Sequence, residues 1–471
     1  MEDAKSHFDL VIVGGGPGGY GAALYGAAAG LDVALVEMGK LGGTCLHVGC
    51  IPAKELLETA SVLRTVRNAE EFGVKAGTPE LDMLQLMSRK QGVIDTLTSG
   101  VEGLLSRRSV TVFSGAGELI GNKEIKISAL ASGDSGRVIS GDNIILASGS
   151  KPRSIPGLEV DGTLVVTSDQ FLSITKVPSR AVIIGGGAIG VEFASALNDF
   201  GTTVTIVEAL PRILAGCDKD IAKVVQRSFQ KRGIDIRTGV LVEGHTASTG
   251  ESTVLLNDGE KLETDLVVVS VGRRPYPDLL RLENAGIEAD RSGFVPVNEF
   301  CETSSSGIYA IGDLIDTPQL AHVAFAEAIV AVKRICSEKV TPVDYAKVPW
   351  AIYCHPEVAF AGLSEVEATE AGYEIEVSKH RYSGNGRAMI VGDTDGLIKI
   401  VAEKLPDGTL GQILGVHMAG PWVTEQLGQG YLAVNWEATV DEVAEFVQPH
   451  PTLSELFGEA VMSLTGRGLH A

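Results

Sequence analysis

The chain has 471 residues, 44% of them hydrophobic and 57 of them glycine, which is length for roughly three domains and the composition of a turn-rich α/β protein rather than a disordered one. Its 39 basic and 60 acidic residues leave a net charge of −21, opposing nucleic-acid backbones and anionic lipid surfaces as partners. Residues 10–31 carry no charge, but eight of those 22 are glycine and acidic residues precede them, so neither a membrane span nor a signal peptide fits.

Residues 8–13 form an apolar strand leading into Gly14, Gly16 and Gly19, and after a helix a second strand, 33–36, ends at Glu37. Residues 42–54 follow, GGTCLHVGCIPAK, with Cys45 and Cys50 close enough in sequence to close a small disulfide ring. A helix is expected over 53–66, with Pro52 suited to its first turn. Cys50 then stands just before a helix N-terminus, which stabilises a thiolate and makes the disulfide reducible. A structural staple normally closes a larger loop in a secreted protein, and one Cys pair is half of a four-ligand zinc site; no metal is expected. Cys217, Cys301, Cys336 and Cys354 are scattered without motif spacing and read as reduced thiols of a cytoplasmic protein.

The opening design repeats. Residues 181–184 lead into Gly185, Gly187 and Gly190, and the strand 204–207 ends at Glu208; in both copies the last glycine and the acid are 18 residues apart. A lone G-x-G-x-x-G says little, but here each copy has the preceding strand, the following helix and the distant acid that a dinucleotide fingerprint needs. The glycines admit a pyrophosphate to the helix N-terminus, and the carboxylate accepts hydrogen bonds from ribose hydroxyls. The competing reading is two structural βαβ units with incidental glycines. Strands ending in tight turns are expected at 143–152 and 266–275, and 308–314 places Asp313 at the end of a further apolar strand. The parsing that follows is a first nucleotide-binding domain split between 1–150 and 276–346, a second inserted at 151–275, and an α+β domain at 347–471 with strands at 396–401 and 411–418 and helices at 424–433 and 440–446.

Two dinucleotide sites beside a dithiol describe a relay, because hydride carriers and disulfides each move two electrons. The first site shares its domain with the cysteines and should hold FAD; the second should take the nicotinamide nucleotide. Glu208 repels a 2′-phosphate and Ala209 and Leu210 offer no cation to receive one, so NAD is preferred over NADP. Lys54, one turn past the cysteines, and Glu192, just after the second fingerprint, lie where the two nucleotides must meet, although each would ordinarily be a solvated helix residue. In QPHPTLSE, Pro451 holds His450 out of the following helix and Glu455 is placed to fold back to its imidazole; Thr452 and Glu455 also have capping-box spacing. His322 and Glu327 read equally as cavity-lining and as core or helix-surface residues.

Taken together, the GGTCLHVGCIPAK stretch, the two fingerprints, the GD at Asp313 and the HPTLSE element resemble the flavin-dependent pyridine nucleotide-disulfide oxidoreductases over nearly the whole chain. The resemblance implies an α/β fold of two Rossmann-like domains, for FAD and NAD, with a C-terminal α+β dimerisation domain. It implies that Cys45 performs thiol interchange while Cys50 faces the flavin, that Glu37 holds the adenosine ribose, and that Asp313 meets the ribityl-pyrophosphate region. It further implies that Lys54 and Glu192 pair beside the flavin ring, and that His450 is the thiol base oriented by Glu455, acting in the partner's site of a homodimer. Gln448 departs from the second histidine often found two residues before that base. Within the family the resemblance is strongest to members that oxidise protein-bound dihydrolipoamide with NAD+. The implied partners are then the lipoyl domains and acyltransferase core of 2-oxo acid dehydrogenase complexes, or the lipoyl protein of glycine cleavage. The alternatives are a glutathione- or mycothione-reductase-like enzyme, which Glu208 opposes, and a docking subunit of a lipoyl complex with secondary diaphorase activity, to which an acidic surface would be suited. No cysteine follows Cys354, so the C-terminal thiol pair of a mercuric reductase is missing.

Overall fold

The structure is a computed structural model describing residues 6–121, 123–128, 136–248 and 250–470. The strand His7–Val13 lies at the middle of a seven-stranded sheet, parallel to Val33–Glu37 on one side and Arg137–Leu146 on the other. Thr111–Ser114 extends the first side, while Glu124–Ser128 and Ala116–Leu119 form an antiparallel flap beyond the second. Ile308–Ala310 also joins Arg137–Leu146 in parallel. Five strands run parallel and therefore end at one edge, which is where open α/β sheets bind ligands. That edge carries the Gly14 loop, Glu37, the turn after Leu146 and the turn at Asp313.

A second sheet repeats the arrangement with five parallel strands in the order Asp235–Thr238, Thr203–Glu208, Arg180–Ile184, Leu266–Val269, Val165–Thr167. Its central strands are continuous runs of Val, Ile and Leu buried on both faces, as helix-covered parallel strands require. An antiparallel meander, Val242–Ser248, Glu251–Leu256 and Lys261–Thr264, accompanies it. The chain enters and leaves this unit side by side through a short ribbon, Ser150–Pro152 paired with Arg273–Pro275.

The third unit is an antiparallel sheet ordered Trp350–Ile352, Glu357–Gly362, Leu410–Gly420, Leu397–Lys404, Ile375–Arg381. The helices Val423–Asn435, Val440–Ala444 and Glu455–Leu464 pack against it. Charged pairs fasten it to the second unit. Lys399, with a side chain 0% exposed, places Nζ 2.8 Å from Asp218, 3.0 Å from Asp220 and 2.7 Å from Glu365. Arg232 bonds Asp199 at 3.0 Å and the carbonyl of His355 at 2.7 Å, and Asp199 also takes Arg64 at 2.5 Å. An ion in such a place persists only when its partners are close and well directed. No helix among the described residues is long and apolar enough to cross a membrane.

Candidate active site

The two glycine loops are built alike, and each glycine has its own reason. Gly14 has φ +108°, and a Cβ there would lie 2.2 Å from the Ala147 carbonyl oxygen; a Cβ on Gly19 would lie 1.7 Å from the Gly14 oxygen. Gly16 between them faces open space, its nearest neighbour 4.0 Å away. The second loop repeats this with Gly185 at φ +106°, Gly190 pressed 1.9 Å from the Gly185 oxygen, and nothing within 4 Å of Gly187. Outer glycines thus close the turn against the strand while the middle one leaves room before a helix N-terminus, the fit a pyrophosphate needs.

The acids that end the second strands do more than the sequence indicated. Glu37 accepts from the amides of Gly15 at 2.5 Å and Gly39 at 2.6 Å. Glu208 accepts from Gly186 at 2.6 Å and Leu210 at 2.7 Å. Each carboxylate therefore braces its own glycine loop, with lone pairs left for ribose hydroxyls. Arg212, the nearest cation after Glu208 in sequence, is committed to the carbonyls of Leu214, Ala215 and Cys217.

Cys45 lies inside a helix not foreseen from sequence, Gly43–Val48, and Cys50 is the first residue of Cys50–Arg67, which begins three residues before the expected 53. Only Gly49 separates the helices; a Cβ there would come 2.8 Å from the Thr44 carbonyl oxygen. Both thiols are reduced and hydrogen-bonded to each other. That bond, with the Lys54 ammonium behind it, pulls the Cys50 thiol down to about 7, while the same bond and burial push Cys45 up. The pair therefore favours a thiolate on Cys50 over one on Cys45.

Lys54 reaches across to the second unit. Its Nζ lies 2.9 Å from both Glu192 oxygens, and Glu192 is 5% exposed. Burial alone would lower the ammonium's pKa, but the carboxylate prevails and raises it. The third unit completes the cluster: the Tyr353 amide donates to Glu192 at 2.9 Å and the Tyr353 ring lies 4.9 Å from Lys54 Nζ. Tyr20 stands by the dithiol, its phenol pushed up by burial and by both cysteines. Sequence reasoning singled out neither tyrosine.

Asp313 lies in the turn Gly312–Leu314, where its Oδ2 accepts from the Ser150 hydroxyl at 2.5 Å. Arg273 donates to that hydroxyl at 2.7 Å and to Asp169 at 2.8 Å. His450 pairs its Nδ1 with Glu455 at 2.9 Å, and Asn385 holds the same carboxyl group at 3.3 Å. The capping box is only half formed: Thr452 Oγ1 accepts from the Glu455 amide at 3.1 Å, while the Glu455 side chain turns to His450 instead of back to Thr452. The His450 side chain is 76% exposed, and Gln448 packs on Gly458. His322 is a surface residue tied to the Pro349 carbonyl, and Glu327 is in the core.

Residues 8–328 match the family model described as pyridine nucleotide-disulphide oxidoreductase, and residues 348–461 match its dimerisation domain. The chain belongs to this family. Among relatives, it is 41% identical to a dihydrolipoyl dehydrogenase of Bacillus subtilis over 99% of both chains. It is 38% identical to a leghemoglobin reductase of Glycine max, over 97% of this chain and 87% of that one. Among solved structures it superposes on LpdA of Mycobacterium tuberculosis with a TM-score of 0.90 at 26% identity, covering 98% and 99% of the two chains. The HOCl-induced flavoprotein disulfide reductase RclA of Escherichia coli, in its Cu(II) complex, gives 0.87 at 26% identity, covering 97% and 99%. As a member of the pyridine nucleotide-disulphide oxidoreductases, the enzyme uses FAD and NAD(H), and the dimerisation domain makes it a homodimer.

Proposed function

We propose that the protein oxidises protein-bound dihydrolipoamide to lipoamide and reduces NAD+ to NADH, a dihydrolipoyl dehydrogenase activity. The observation that carries this reading is the dithiol at a helix N-terminus, one turn from an ammonium held by a buried carboxylate, in a chain with two open glycine cradles. Gly14, Gly16, Gly19, Glu37 and Asp313 hold FAD; Gly185, Gly187, Gly190 and Glu208 hold NAD. FAD, when bound, would supply the two-electron chemistry that links the dithiol to NAD+.

In the oxidised enzyme Cys45 and Cys50 share a disulfide. One substrate thiol, deprotonated by His450, attacks Cys45; the S–S bond breaks and Cys50 leaves as the thiolate that Lys54 favours. The second substrate thiol then attacks the sulfur joined to Cys45, closing the lipoamide ring and releasing Cys45. The substrate has lost two electrons and two protons, and the cysteine pair has gained the electrons. One proton stays on Cys45, whose raised pKa retains it, and the other leaves through His450. Glu455 on Nδ1 leaves Nε2 as the working nitrogen.

His450 is exposed within its own chain, and the nearby Phe446 and Val447 are 60% and 97% exposed. A second subunit covering that apolar pair would receive His450 at its own dithiol. The lipoyl domains and acyltransferase core of a 2-oxo acid dehydrogenase complex, or the glycine cleavage lipoyl protein, are the partners this chemistry serves. The test is NADH formation from dihydrolipoamide. Cys45→Ser and Cys50→Ser are each expected to abolish it while FAD remains bound, since the thiols carry electrons without holding the flavin. Substantial turnover in either variant would refute the relay.

A further inference from the structure

Beneath the turn that presents Asp313 lies a carboxylate with no part in the chemistry above. Glu327, in the helix Ala321–Ile335, is 0% exposed, and its oxygens accept three hydrogen bonds. The Gly312 amide donates at 2.6 Å, the Thr317 hydroxyl at 2.7 Å and the Tyr345 phenol at 3.1 Å. The titratable and charged groups that face it are Asp313, Cys301 and Tyr345, so no cation offsets its charge among the described residues. A buried carboxylate without a cation is a poor choice for stability, since an amide of the same shape would be easier to bury. Packing therefore does not account for it.

Its donors do. The Gly312 amide belongs to the Ile311–Gly312 peptide, which opens the turn carrying Asp313 and in which Gly312 has φ +68°, and Thr317 follows that turn in the chain. Asp313 itself is held by the Ser150 hydroxyl. We propose that Glu327 is a positioning residue for the flavin, its charge-assisted bond to the Gly312 amide fixing the peptide that aims the Asp313 carboxylate at the ribityl-pyrophosphate region. This rests on the assignment of Asp313 to FAD. A charged acceptor makes a shorter and roughly twice stronger bond than a neutral one, so the ionised form matters. Burial raises the Glu327 pKa to about 7 despite its three donors.

Glu327→Gln keeps shape: the amide oxygen still accepts from Gly312, and the NH2 donates to the two hydroxyls, which can turn to receive it. It removes only the charge. In the holoenzyme, released FAD is followed by its fluorescence after dilution, and thermal unfolding of the FAD-stripped protein is measured alongside. Glu327→Gln is expected to speed FAD release about tenfold and to leave the stripped protein as stable as wild type or more so. Wild-type release is expected to quicken as pH falls through about 7, where the carboxylate is protonated, and the variant is expected to lose that step. Release within twofold of wild type, or a stripped protein destabilised in proportion, overturns the proposal. If the variant does not fold, a flat wild-type pH profile overturns it by itself. Asp313→Asn separates the two readings: if that change leaves FAD release untouched, the assignment of Asp313 fails, whereas fast release in Asp313→Asn with normal release in Glu327→Gln sinks the role of Glu327 alone.

Discussion

Replacing Lys54 by methionine isolates what the central ion pair contributes. In the intact protein the ammonium lies 2.9 Å from both oxygens of Glu192. Two unit charges at that distance attract by about 6 kcal/mol at an effective dielectric of 20, against which stands the desolvation of both. Without Lys54, a carboxylate 5% exposed retains, among the described residues, the Tyr353 amide alone, and stranding a buried charge costs about 3–5 kcal/mol. A third of the Lys54 side chain, 33%, meets solvent, so the low end applies, about 3 kcal/mol. Guanidinium unfolding at saturating FAD should register that loss for Lys54→Met and recover most of it in Lys54→Met/Glu192→Gln, because glutamine still accepts from Tyr353 while carrying no charge. Iodoacetamide alkylation of the reduced enzyme against pH gives an independent reading. The Cys50 thiolate, half formed near pH 7, should need a higher pH in Lys54→Met, since losing a cation disfavours the anion, and the double variant should correct this in part, because the Glu192 charge itself opposes the thiolate. A loss below about 1 kcal/mol, with an unmoved alkylation midpoint, would refute the reasoning.

Glu208 should favour NADH over NADPH by about 2–4 kcal/mol in kcat/KM through repulsion of the 2′-phosphate; equal values would revive the glutathione-reductase-like reading. Because Glu208 also braces Gly186 and Leu210, Glu208→Ala is expected to weaken NADH more than it gains NADPH. Cys45→Ser and His450→Gln proteins, each nearly inactive alone, should regain roughly a quarter of wild-type activity when refolded together, since half the dimers are hybrids with one sound site in two. No recovery despite demonstrated hybrids would place His450 in its own chain's site or outside the chemistry.

What the sequence could express was local. The strands 8–13 and 181–184 announced themselves because buried parallel strands are unbroken apolar runs, and the outer glycines after them because a side chain there would meet backbone. The helix Gly43–Val48 went unseen because six residues with no capping side chain leave no period to detect. The meander over 242–264 alternates weakly among charged and small residues. Contacts between units were less legible still. Tyr353 meets Glu192 across 161 positions, and Asn385 reaches Glu455 across 70, so no spacing rule could pair them. Glu327 read equally as cavity-lining and as core or helix-surface, because its helical spacing is compatible with each, and only the closed fold puts it in the core.

The Lys399 cluster limits how this chain can be recombined. Its ammonium belongs to the C-terminal sheet and two of its three counter-charges, Asp218 and Asp220, to the second unit, the one proposed to take the nicotinamide nucleotide. A chimera that imports 151–275 from a relative lacking those acids, in order to alter coenzyme choice, would leave a fully enclosed cation with Glu365 alone. Such a graft would be expected to lose several kcal/mol and to fail in folding before its coenzyme preference could be measured. The transplantable piece is the insert together with Lys399 and Glu365, so the seam between modules runs through the side chains and not through the linkers.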